Sequence, residues 1–224
     1  MIVDQIKQQA LRLFASKGYE ATSLDMIATE VGRKKPSLYT HFAGKEQLFL
    51  AVFNEAIAEE IRVLEEFYDR HRGQPFDQTL LRLIETYKER YLRDDRLKLI
   101  LYHGFIIPQV HKAKPRSPSS SGDAGYVPAK SRMVDKGETY PFLDLEETIK
   151  DALNRYFDRK EQLARQRLTE AASSLAVDVD AAVLAYSNLL EGMLVELIYA
   201  GPDRFDRRLA GSWEVFRRGI LKKH

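Results

Sequence analysis

The sequence predicts an all-α protein, with a small three-helix unit at the amino terminus joined by one long helix to a larger helical domain. Two observations carry this reading. Apolar residues recur at three- and four-residue spacing in successive segments of the chain. Glycines and prolines stand where one such segment gives way to the next, as at Gly18, Gly32, Pro36 and Pro75. The 224 residues suit one large or two small domains, and 44% hydrophobic with 30% charged content is ordinary for a folded chain.

Residues 2–17 repeat Ile6, Ala10, Leu11 and Phe14, which predicts an amphipathic first helix ending at Gly18. Its stripe would cover the two helices that follow. Thr22, with Asp25 three residues later, is a start signal for the second helix. Leu24, Ile27, Ala28 and Val31 mark that helix's buried side, and Gly32 stops it because glycine reaches φ > 0 without a steric penalty. The third helix can begin at once, since Pro36 falls in its first turn, where the missing N–H has no partner to lose. Leu38 and Phe42 turn inward there, leaving Lys34, Lys35, Ser37, Tyr39, Thr40 and His41 mostly outside. A helix with that outward face fits the major groove of DNA.

Charge is unevenly placed. Residues 1–45 hold seven basic residues (Lys7, Arg12, Lys17, Arg33, Lys34, Lys35, Lys45) against four acids (Asp4, Glu20, Asp25, Glu30), whereas the other 179 residues hold 28 against 29. Positive charge gathered at one end is the footprint of a phosphate-binding surface. For Arg33, Lys34 and Lys35 taken alone, a solvated charged face is the alternative. Lys45, at the start of the fourth helix, could reach a backbone phosphate beside the groove.

The pattern running through ALRLFASKGYEATSLDMIATEVG and KKPSLYTHFAGKEQLF resembles the DNA-binding domain of the TetR/AcrR family of bacterial transcriptional regulators. The resemblance covers a little over a fifth of the chain. It implies an operator-binding homodimer, most often a repressor, that releases DNA when a small molecule binds the larger domain. It also places Thr22, Lys34, Lys35, Pro36, Ser37, Tyr39, Thr40, His41 and Lys45 where family members contact operator DNA, with Tyr39 and Lys45 as phosphate contacts. Arg33 departs from the pattern, which usually has a small inward-packing residue there. An unpaired guanidinium is costly to bury, so Arg33 is expected to snorkel outward, toward DNA. Lys34 stands where a Ser or Thr helix cap is common.

Domain boundaries are expected at 1–46 for the DNA-binding unit and 47–224 for the regulatory one. From Glu46 a helix of about 25 residues carries Phe49, Phe53, Ile57, Ile61, Leu64 and Tyr68 on one side. HRGQP (71–75) ends it, Leu80, Ile84, Tyr87 and Tyr91 mark a fifth helix, and RLKLILYHGFII (96–107) a sixth. Residues 111–141, with four prolines and three glycines and no period, read as a long flexible loop. A helix resumes at Asp144, and the charged tract DRKEQLARQR reads as its solvated end. AAVLAYSNLLEGMLVELIYA (181–200) is apolar around its whole circumference and asks for cover on every side. The last helix repeats Phe205, Leu209, Trp213, Phe216 and Ile220. By resemblance these last two helices form the dimer interface, with Leu190, Leu194, Ile198, Leu209, Trp213 and Phe216 as candidates; intrachain core is the alternative. Gly192 and Gly211 inside them suggest close helix approach.

No enzyme is expected. The five histidines show no metal-ligand spacing, there is no cysteine, and neither a phosphate-cradling glycine loop nor GxSxG occurs. No metal and no cofactor follow. Tyr87, Tyr91, Tyr102, His103 and Phe105 lie close in sequence and could line an effector pocket or simply fill the core. No signal peptide is recognisable and no apolar run is taken for a membrane span, so a cytoplasmic location is expected. The rival from another class is a helical adaptor that binds an acidic protein partner without DNA.

Overall fold

A computed structural model describes residues 1–105 and 145–222, with the side chain of Phe105 excepted. The loop expected at 111–141 lies outside the described residues. Those residues form nine α-helices: α1 (Ile2–Ala21), α2 (Leu24–Glu30), α3 (Lys35–Leu38), α4 (Lys45–Arg70), α5 (Phe76–Tyr91), α6 (Asp95–Phe105), α7 (Leu145–Glu170), α8 (Val179–Ala200) and α9 (Pro202–Ile220). The fold is all-α, and among the described residues the sole β pairing is an isolated bridge between Leu175 and Leu221.

Helix α1 turns Ile6, Ala10, Leu13 and Phe14 inward and leaves Leu11 half-buried. It packs on α4 and α6 as well as on α2, so its stripe does more than roof the next two helices. Gly18 breaks it at φ 79, ψ 171, a conformation open essentially to glycine alone. The cap of α2 is Ser23, whose Oγ accepts from Met26 N at 3.2 Å. Gly32 adopts φ 64 and ends α2 as expected. The α3 segment is a single short turn of helix without a side-chain cap at Lys34, held to the body by Leu38 and Phe42, which are both buried.

Helix α4 runs 26 residues and buries apolar groups along its whole length, from Leu48 and Phe49 to Phe67 and Tyr68. Its start packs on α1 and α6 and its main length on α7, so the apolar core continues without a break from the amino-terminal helices into the rest of the molecule. Glu60, midway along α4, is 1% exposed and receives both guanidinium nitrogens of Arg90 at 2.6 Å. Arg90 also donates to Asp94 at 2.8 Å, which locks the α5–α6 turn onto α4. Burial raises the Glu60 carboxyl above the usual carboxylate range, against the pull of Arg90.

The charged tract of α7 is not a solvated end. Lys160 and Arg167 are buried, together with Leu163, Ala164 and Leu168. Their charges have partners: Lys160 Nζ donates to Glu191 Oε1 of α8 at 3.1 Å, and Arg167 donates to the carbonyls of Arg72 and Gln74, stitching α7 to the α4–α5 turn. Burial lowers the Lys160 ammonium, opposed by Glu191. The interior between α5, α7 and α8 is tied by tyrosines: Tyr87 Oη lies 2.6 Å from Tyr156 Oη, and Tyr186 donates to the Leu80 carbonyl at 2.9 Å. Helix α8 has the length and composition of a membrane span, contrary to expectation. Its buried side, with Tyr186, Leu190 and Leu194, is part of the protein core.

Two stability predictions follow from these contacts. Arg90→Met strands Glu60 in the interior and should lower unfolding free energy by about 3 kcal/mol in urea titrations at neutral pH. Gly18→Ala forces a Cβ into a glycine-only conformation and should cost about 1 to 3 kcal/mol by the same measurement, although the space around it is open to ordinary contact with Tyr102.

Candidate functional site

The α2–α3 unit presents one continuous polar face. Arg33, Lys34, Pro36, Thr40 and His41 are exposed, Tyr39 is 51% exposed, and Lys35, Ser37 and Lys45 are half-buried. Arg33 points outward rather than into the core, as the cost of burying a lone guanidinium requires. Leu38 and Phe42, on the opposite side of the same segment, are buried, so the polar side chains stand clear of the interior.

Thr22 is the exception among the expected contacts. It is 1% exposed, and its Oγ1 donates inward to the Gly18 carbonyl at 2.8 Å. That hydroxyl ties down the chain after the Gly18 break and faces away from the polar surface. The cap that the sequence suggested for Thr22 belongs to its neighbour Ser23; two adjacent hydroxyl residues left the register open by one.

The other polar groups are pre-positioned by local bonds. Ser37 Oγ donates to the Lys34 carbonyl and Thr40 Oγ1 to the Ser37 carbonyl, each at 2.7 Å. With their protons turned back to the helix, both hydroxyls offer lone pairs outward, suited to accept from a base amino group. Lys35 Nζ lies 2.9 Å from Asp25 Oδ2 of α2, and that carboxylate, through its hydrogen bond and its charge, raises the Lys35 ammonium above its ordinary value. Lys45 Nζ donates to the Tyr19 carbonyl at 2.9 Å and sits 4.1 Å from the centre of the Tyr19 ring. The Asp25 and Tyr19 partners gave no signal in sequence, because each is distant along the chain from the lysine it holds.

A second feature is a cavity of about 610 Å³ where α1 and the start of α4 meet α6 and α7. Tyr102 and His103 line it, as the sequence reading proposed, together with Tyr19, Phe49, Leu153 and Phe157. His103 is buried against the rings of Phe49 and Phe53, at 4.9 and 5.5 Å between centres. Tyr87 and Tyr91 are not in this wall. Both lie on α5, where Tyr87 is wholly inside the core against Tyr156 and Tyr91 packs on the core's edge. The Phe105 side chain lies outside the described residues. A larger cleft of about 710 Å³ between α1 and the α5–α6 turn is walled by charges of both signs, among them Arg12, Arg93, Glu89 and Asp95. Among the described residues no group of three His, Asp or Glu is placed to hold a metal.

The third feature is the outer face of α8 and α9. Leu190, Leu194, Leu209 and Trp213 are buried within the protomer, and Ile198 and Phe216 are half-buried, so most of the expected interface residues form intrachain core. The exposed apolar stripe lies one step around the helices: Leu184 (56% exposed), Val195 and Tyr199 (68%) on α8, and Val215 (74%) on α9. Gly192 and Gly211 open onto it, and a Cβ at either would meet nothing within 4 Å in this chain. Neither glycine therefore serves close packing inside the protomer.

Comparison with known proteins bears on the first of these features. Residues 6–52 match the family model for bacterial regulatory proteins, tetR family. The HTH-type transcriptional repressor ComR of Escherichia coli is 38% identical over 73 residues, 33% of this chain and 31% of that protein. The HTH-type transcriptional regulator YerO of Bacillus subtilis is 29% identical over 111 residues, 50% of this chain and 38% of its own length. The match thus spans well under half of either relative. Over nearly the whole chain, the fold is shared with a protein from Saccharomonospora viridis crystallised with choline, at a TM-score of 0.66 and 16% identity, covering 99% of this chain and 98% of that one.

Proposed function

We propose that this chain, a member of the tetR family by its amino-terminal domain, is a ligand-responsive transcriptional repressor that binds a palindromic operator as a homodimer. The observation that carries the reading is the polar face of residues 33–41 over the buried pair Leu38 and Phe42. It has the shape of a groove-reading element, with no core duty for its lysines and hydroxyls. Arg33, Lys34, Tyr39 and Lys45 serve phosphates; Lys35, Ser37, Thr40 and His41 face base edges, and Pro36 fixes the approach of the turn.

Residues 1–46 form the DNA-binding unit and 47–224 the regulatory one, with α4 as the mechanical link. Dimerisation through the α8–α9 stripe places two reading elements on successive major grooves, about 34 to 36 Å apart. A stripe with large exposed apolar side chains beside glycines suits a closely packed two-fold contact. The effector is a small molecule held in the cavity beside Tyr102 and His103. It must bind the DNA-free state better, since only differential affinity shifts an equilibrium. The crystallisation of the Saccharomonospora viridis protein with choline supports a small-molecule role for this fold. An adaptor for an acidic protein would use the basic face equally well, and DNA binding separates the two readings.

A gel shift with duplex DNA upstream of the coding region is the direct test: binding that survives competitor DNA supports a regulator, and none at low salt removes it. Lys45→Ala should weaken binding to all duplexes and reduce the salt slope by about 1, whereas Ser37→Ala or Thr40→Ala should change sequence preference at about 1 to 3 kcal/mol per lost base contact. Equal losses on specific and mixed-sequence DNA for all three variants would contradict these roles. The double variant Leu184→Glu, Val215→Glu should sediment as a folded monomer. Trp213→Glu, by contrast, places a charge in the protomer core and should lose helicity by circular dichroism.

A further inference from the structure

We infer that the junction cavity takes a neutral aromatic molecule and that Tyr19 relays its occupancy to Lys45. The inference rests on the ligand-responsive reading above and assigns to it a ligand class and a route. Aromatic and aliphatic side chains, Tyr19, Phe49, Tyr102, Ile149, Leu153 and Phe157, make the walls. The charged wall residues are Lys17 and Lys150 against Glu20 and Glu146, all exposed and balanced two against two, so no net charge favours an ion. The rings are already arranged edge to face, with Tyr19 on Phe49 at 5.0 Å and 73°, a geometry into which a further aromatic ring inserts favourably.

Tyr19 belongs to both the cavity and the DNA-binding unit. The break at Gly18 takes the Tyr19 carbonyl out of regular α-helical pairing; it accepts from Thr22 N at 3.3 Å and from Lys45 Nζ at 2.9 Å. The same ammonium lies over the Tyr19 ring at 4.1 Å, an attraction of the cation–π kind. Lys45 itself does not line the cavity. Tyr19 therefore stands between a bound molecule and a lysine at the first residue of α4. With Tyr19 in place, Lys45 is held at the reading face with two of its three N–H donors left for a phosphate. A molecule that seats against Phe49 and Phe157 displaces the Tyr19 ring, and Lys45 loses the ring that holds it over the turn and keeps only the Tyr19 carbonyl.

The test uses the full chain, N-phenyl-1-naphthylamine as a neutral aromatic fluorescent probe, and duplex DNA of mixed sequence. Saturable probe binding is expected, and it should be lost in Ile149→Trp and in Asn154→Trp, which fill the cavity from its half-buried and its exposed side, with helicity unchanged. Bound probe should lower the salt slope of wild-type DNA binding by about 1. Tyr19→Leu, which removes the ring and leaves the carbonyl, should show that lower slope without probe, while Tyr19→Phe, which keeps the ring, should match the wild type. No saturable binding, or binding untouched by both tryptophan variants, overturns the site. Probe-driven release of equal size in wild type and Lys45→Met, or a wild-type slope in Tyr19→Leu, overturns the relay and leaves ligand response standing. A chain that binds no duplex defeats the regulator reading and the relay together, while the probe titration still decides the cavity.

Discussion

The structure depends on α4 being buried at both of its ends against different neighbours. Its first turns, through Leu48, Phe49 and Phe53, complete the core of the amino-terminal helices; its later turns, through Leu64, Phe67 and Tyr68, belong to the larger helical body. Each end is held by apolar contact. The middle is apolar too, with Ala56 and Ile57 buried, and it adds a charged clamp in which Arg90 holds Glu60. A buried carboxylate paired bidentately is directional in a way that aliphatic packing is not. The ion pair therefore ties the middle of α4 to α5 and, through Asp94, to the α5–α6 turn.

Much of this was legible in the sequence, and where it failed the reasons are physical. Helical spacing located the helices, and Gly32 and Pro36 located the turn that exposes residues 33–41, because those signals are local in the chain. The outer face of α8 was not legible. A helix apolar all round gives no phase, so Leu190 and Leu184 look equivalent until α7 and α9 are seen to cover one and leave the other. Lys160 and Arg167 misled for the opposite reason. Their charge suggested solvent, yet each meets an acceptor from a distant segment, Glu191 in one case and the carbonyls of the α4–α5 turn in the other.

The cavity walls divide in the same way between local and long-range signals. Tyr102 and His103, singled out with three other aromatic residues for lying close in sequence, line the junction cavity. Tyr87 and Tyr91 shared that closeness in sequence, but Tyr87 lies in the core and Tyr91 packs against its edge. Tyr19 and Phe49 were overlooked as wall residues since both carry obvious structural duties in the amino-terminal unit. Residues that do two jobs are the hardest to see from sequence, and here they stand where the two halves of the molecule meet.

Asp25 gives the polar face of residues 33–41 a built-in counterion. Its carboxylate already neutralises part of Lys35 before any nucleic acid arrives. Where the 33–41 face meets a duplex, the cations released come from the DNA, one for each phosphate that a lysine neutralises, and a Lys35 kept by Asp25 beside a base edge releases none. Counting cations from ionic-strength data would then understate the true set of contacts. The shortfall would mark Lys35 as a lysine whose charge is already answered within the chain.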